Sequence, residues 1–153
     1  MNEETEVIET VESNLQAIRM EHSEALGDLA LALSKAQGSF KSVGKNKQGY
    51  GYKYMDLPTL LEASREGLAE NELAVVQGHY TVKVDDKPYV GTDTMLIHSS
   101  GQWIKSTLEI PIPQMKQLSS AQLIGVVSTY ARRYLWQAIV GIASEEDTDG
   151  KAK

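Results

Sequence analysis

Between positions 35 and 53 the chain carries five lysines, Lys35, Lys41, Lys45, Lys47 and Lys53, and no acidic residue. Each lysine that neutralises a phosphate releases condensed counterions, so a few such contacts give salt-sensitive affinity for a nucleic-acid backbone. Tyr50, Tyr52 and Tyr54 alternate in the same stretch, and in an extended segment alternate rings share one face. Rings on one face with cations nearby suit single strands, because every base offers a face to stack on. The competing reading is a solvated basic loop whose tyrosines fold back on the domain.

A second group lies near the C-terminus. On a helix, Gln122, Thr129 and Arg133 fall within about 40° of one another, and Gly125, Arg132 and Trp136 widen the band to about 100°. Donors, two guanidiniums, an indole and a glycine that permits close approach suit a phosphate backbone and a base stack. Leu123, Val127, Tyr130 and Tyr134 share a sector about 60° wide, which predicts a buried seam with both tyrosines packed in the core. The alternative for the polar band is a solvated helix face that happens to hold two arginines.

Other chemistries lack their residues. The run Gly38 to Asn46 resembles a phosphate-binding P-loop, but five residues separate its glycines and Asn46 follows the lysine. That motif needs four intervening residues and a hydroxyl for Mg²⁺. His22, His79 and His98 are far apart in sequence and lack metal-ligand spacing. Asp147, Asp149 and Gly150 lack the rest of a calcium loop. The absence of cysteine excludes disulfides, thiolate metal sites and a thiol nucleophile. These observations predict a protein that is not an enzyme and needs no cofactor.

These groups must be held by a chain of 153 residues, enough for one domain. The net charge is -6 and the pI about 5.1, which at first sight argues against a polyanionic partner. The distribution says otherwise. Twelve of the 15 bases but only nine of the 21 acids fall between residues 29 and 143, a central charge of +3 between two acidic ends. Acidic ends aid solubility or compete with a polyanion for the basic centre. Residues 1–12 are expected to be flexible, and residues 144–153 to form a disordered tail. No apolar run approaches the ~18 residues of a membrane span, so a cytoplasmic protein is expected.

From Ser13 to Phe40 the spacing of Leu15, Ile18, Leu26, Leu29, Leu33 and Ala36 predicts a helix that Gly27 can break in two. Lys41 to Tyr54 reads as a loop or irregular hairpin. Asp56 as N-cap, with Pro58 in the first turn, starts a helix to about Asn71. Val-, Tyr- and Thr-rich runs at Leu73–Val84, Tyr89–His98 and Gln102–Ile110 predict three strands joined by tight turns. Connections this short imply an antiparallel meander. Ser119 with Gln122 makes a capping box for a last helix that reaches about Val140 and ends at Gly141. The expected fold is α+β: a three-stranded antiparallel meander packed with helices, followed by a long C-terminal helix.

Several runs in this order resemble the Erf (essential recombination function) family of phage single-strand annealing proteins. They are Ser120-Ala121-Gln122-Leu123-Ile124-Gly125, Thr129-Tyr130-Ala131-Arg132-Arg133-Tyr134, Gly141-Ile142-Ala143 and the acidic tail with Asp149-Gly150. Upstream, Ala36-Gln37-Gly38, Lys45-Asn46-Lys47, Lys53-Tyr54-Met55-Asp56-Leu57 and Leu73-Ala74-Val75-Val76-Gln77 agree with the family's opening and the start of its sheet. The likeness spans roughly residues 28 to 150. Val127-Ser128 and Leu135-Trp136 are variants, Met55 stands where the family usually has alanine, and a further C-terminal domain of some members has no counterpart.

The resemblance implies binding of single-stranded DNA and ATP-independent pairing of complementary strands by a ring or helical filament of identical subunits. It also implies a bacterial host cytoplasm, phage or prophage origin, and a single-strand binding protein or exonuclease as partner. In that frame residues 13–143 form the annealing domain. Lys41, Lys45, Lys47, Lys53, Arg132 and Arg133 meet phosphates, Gln122 and Thr129 line the groove, and Tyr52, Tyr54 or Trp136 stack bases. A passive single-strand coat and a scaffold that binds no nucleic acid are the alternatives.

Overall fold

A computed structural model describes residues 19–41, 47–49 and 52–143. Residues 1–18 and 144–153, with Lys45 and Tyr50, on which several expectations rest, lie outside the described residues.

The sheet is antiparallel and has four strands, one more than the sequence predicts. Strand β1 is Arg19–His22, β4 Leu73–Val84, β5 Lys87–His98 and β6 Trp103–Pro111, in the order β1-β6-β5-β4. The short strands β2 (Lys47–Gly49) and β3 (Tyr52–Tyr54) form a separate two-stranded hairpin. The expected meander is therefore present as β4, β5 and β6, and β1 is the addition. It replaces part of the helix expected from Ser13. Its pairing of Met20 with Ser106 and Glu21 with Lys105 is sealed by a 3.3 Å ion pair between the Glu21 carboxylate and Lys105. Without β1 the β6 edge would present unpaired backbone groups, and satisfying that edge outweighs the helical spacing of the local sequence.

Helix α1 spans Gly27–Ser39, α2 Leu57–Glu70 and α3 Ser120–Val140. Each start has a physical cause. Leu26 supplies no side-chain cap to α1, and Gln102 does so from across the chain: its Oε1 accepts from Leu29 N at 2.9 Å and its Nε2 donates to Asp28 at 3.1 Å. Asp56 caps α2 by accepting from Thr59 N at 3.1 Å. At α3 the predicted capping box is complete, with Gln122 N donating to Ser119 Oγ at 3.2 Å and Ser119 N to Gln122 Oε1 at 2.8 Å. Gly141 ends α3 in the left-handed region at φ 79°, where a side chain is strained.

The β4–β5 hairpin turns through Asp85 and Asp86, both at positive φ (51° and 63°). Two such residues make the tight turn whose twist matches the strands. Alternate β5 residues Val90, Thr92, Thr94 and Leu96 are fully buried, as the two-residue period of a strand beneath a helical layer requires. The main core joins Leu29, Ala32 and Ala36 of α1 with Leu68, Leu73, Leu96, Ile139 and Val140, and Trp136 packs against it. The opposite sheet face carries polar pairs: Tyr80 to Glu109 at 2.8 Å and Thr107 to Asp93 at 2.6 Å. Burial and the Glu109 hydrogen bond hold the Tyr80 phenol far above its ordinary pKa. No described helix is long and apolar enough to cross a membrane.

Candidate nucleic-acid interface

Helix α3 buries Leu123, Val127, Ala131, Leu135, Ile139 and Val140. The expected seam through Tyr130 and Tyr134 is therefore corrected: these rings are 45% and 57% exposed, and Val126 is 62% exposed. The helix turns its small Ala131 and the flexible Leu135 inward. Burial follows the four-residue steps from Leu123, which leaves the rings outside. There they stack, with centroids 5.8 Å apart and planes 16° from parallel. The Arg133 guanidinium lies 5.5 Å from the Tyr130 centroid, within cation–π range. Val126, Tyr130 and Tyr134 thus form a ridge of four-residue steps beside a cation.

Trp136 goes the other way. Its indole nitrogen donates to Ser64 Oγ at 3.0 Å, and the ring packs against the core. Ser64 is fully buried on α2. The indole ties two helices together and is partly buried, whereas the exposed rings of α3 are those of the tyrosines.

Arg132 is half-buried where α3 crosses β4. Its Nε donates to Gln77 Oε1 at 3.3 Å, and Gln77 Nε2 donates both to the Arg132 carbonyl at 3.0 Å and to Thr94 Oγ1 at 2.9 Å. Among the described residues no carboxylate lies within salt-bridge distance of Arg132. A partly desolvated cation held by a neutral amide is open to an external anion. Beside it, the His79 ring meets Thr92 Oγ1 at 2.8 Å through Nδ1. Desolvation first, and the Arg132 charge second, lower the His79 pKa below 6.5.

The remaining expected residues are more dispersed in role. Gln122 spends its carbonyl oxygen on the cap, and the Thr129 hydroxyl donates to the Gly125 carbonyl at 2.9 Å, both on the exposed side of α3. Exposed Lys41 lies 3.7 Å from Glu66 of α2, a surface pair of little energetic weight. In the hairpin, Lys47 stands opposite Tyr54, Gln48 opposite Lys53 and Gly49 opposite Tyr52. The structure therefore joins Arg132, Arg133 and the two tyrosines on one helix, with Gln77 and His79 beneath. Gln77 and His79 are not among the residues expected at this site from sequence. Their signal is parity: they alternate with Val75 on the helix-facing side of β4, where apolar residues are expected. No group of three or more His, Asp or Glu among the described residues could hold a metal ion.

The structure is thus an antiparallel α+β domain whose last helix carries an exposed ridge of tyrosines beside arginine. A family model described as the ERF superfamily matches residues 29–153. The chain belongs to the ERF superfamily. No curated protein and no solved structure matches it.

Proposed function

We propose that the protein binds single-stranded DNA and anneals complementary strands without nucleotide hydrolysis, in the recombination role that membership of the ERF superfamily suggests. The observation that carries this reading is the α3 surface: stacked, exposed Tyr130 and Tyr134, Arg133 against Tyr130, and Arg132 with no carboxylate partner among the described residues. Stacking tolerates every base, and guanidiniums hold backbone without reading sequence. Lys41, Lys45, Lys47 and Lys53 extend the phosphate track, with Tyr52 and Tyr54 as further stacking residues of the hairpin.

A central charge of only +3 makes each subunit a weak binder. Affinity then comes from subunits arrayed side by side on one strand. Holding that strand extended with base edges outward lets a second strand sample register, and pairing itself supplies the driving force. Nothing is cleaved and no nucleotide is consumed.

The test mixes two complementary labelled oligonucleotides with the protein, without nucleotide, at low and high salt. Accelerated, salt-sensitive pairing is expected, and the Arg132→Glu/Arg133→Glu double variant should lose it while keeping its circular dichroism spectrum. Binding without acceleration identifies a passive coat. No binding at low salt removes the nucleic-acid reading altogether.

A further inference from the structure

Gln77 and His79 lie two residues apart on β4, the outer strand of the sheet, so both project toward the helices from an open margin. Their inner partners, Thr94 and Thr92, are fully buried and cannot retreat. Gln77 in turn grips Arg132 at both its carbonyl and its Nε. The result is a pre-set pair of cationic or cation-capable groups at the β4–α3 margin. Among the described residues His79 is tied through Nδ1 alone, which leaves Nε2 for another partner. The Arg132 charge of α3, held two residues away on Gln77, acts on the imidazole, and uncharged Thr92 bonds it from β5. The same-side neighbours on β4, Gln77 and Thr81, are also uncharged. No carboxylate among the described residues pairs with either group.

We infer that Arg132 and His79 together seat one phosphodiester of the bound strand, with His79 taking up a proton as the phosphate arrives. The inference rests on the single-strand reading above and adds a ligand and a linkage to it. In the free protein, desolvation and the Arg132 charge keep the imidazole neutral near pH 7. A phosphodiester is anionic at every working pH, so its arrival offsets the Arg132 charge and favours the imidazolium. The bound state therefore holds more proton than the free state around the titration range, and affinity rises as pH falls.

The experiment uses the whole chain and oligothymidylate, whose bases do not titrate near neutrality. The His79 imidazole is followed by NMR across pH with and without the oligonucleotide, and affinity is measured at about pH 8 and about pH 6 for wild type and His79→Gln. Glutamine can still reach Thr92 but cannot take up the proton. Saturation with oligothymidylate should raise the His79 midpoint by about one pH unit, which makes binding a few-fold tighter at about pH 6 than at about pH 8 and approaches tenfold only well below the free midpoint. His79→Gln should lose that gain. If DNA binds while the His79 midpoint stays still, or if His79→Gln keeps the whole gain, the phosphate seat is wrong and the annealing reading stands. If oligothymidylate binds at neither pH even at low salt, the annealing reading fails and the seat fails with it.

Discussion

Tyr130 and Trp136 are both aromatic residues of α3, and their surroundings set them to opposite tasks. Tyr130 and Tyr134 touch mainly each other, Arg133 and solvent. Truncating both to alanine should leave the melting curve almost unmoved and weaken single-strand binding by about 1–3 kcal/mol per base stacked. Trp136→Phe should do the reverse. It removes the indole donation to buried Ser64, whose hydroxyl still donates to the Leu60 and Leu61 carbonyls, lowering stability by about 0.5–1.5 kcal/mol, with binding by the folded fraction preserved. Thermal melts and fluorescence anisotropy on the same samples check both. If Trp136→Phe abolishes binding while the fold stays intact, the indole contacts bases after all.

His79 adds a pH dependence to the stability of the free protein. Its folded pKa lies below the unfolded value of 6.5, so the unfolded chain binds more protons in acid. The stability contributed by neutral His79 is complete above about pH 6.5 and is lost as pH falls through the folded value. Wild type should melt lower as pH drops below 6.5, and His79→Gln should show a shallower fall. A bound strand shifts this balance in the opposite sense, so the acid loss should shrink in its presence.

Among the secondary-structure elements, α3 is the one whose ends matter most, because its length places the tyrosine ridge and Arg132 at fixed positions over the sheet. The capping box sets its start, and Gly141 sets its end at φ 79°. A Cβ on Gly141 would stand 2.7 Å from the Gln37 side-chain nitrogen, which itself donates to the Val140 carbonyl at 3.3 Å. Gly141→Ala should therefore destabilise the fold by about 1–2 kcal/mol, mainly through the left-handed backbone. Urea unfolding measures this directly. A change near zero would mean that the C-terminal turn rearranges at no cost.

Taken as a whole, the molecule depends on a four-residue strand to close its sheet. Arg19–His22 covers only the part of β6 from Ile104 to Thr107. Replacing Met20 and Glu21 together by proline removes adjacent backbone donors, so the ladder breaks whichever of the two serves it. The expected outcome is a lower melting temperature and self-association through the uncovered β6 edge, read by light scattering. An unchanged melt and a clean scattering profile would show that β1 contributes nothing to the closed sheet.

Much of this architecture is legible in the sequence. The capping residues Asp56 and Ser119, the Asp85-Asp86 turn, the strand alternation and the Gly141 stop are short-range signals whose energetics lie within a few residues, and each stands where the sequence placed it. Three matters were decided only by tertiary structure. Strand β1 exists because β6, eighty residues away, offers an unpaired edge. The seam of α3 runs through Ala131 and Leu135 because the helix settles on the sheet with its smaller residues inward, a choice between neighbouring sectors that periodicity leaves open. Gln77, His79 and Arg132 meet because β4 and α3 cross there, and polar side chains 55 residues apart carry no mutual signal until the chain folds.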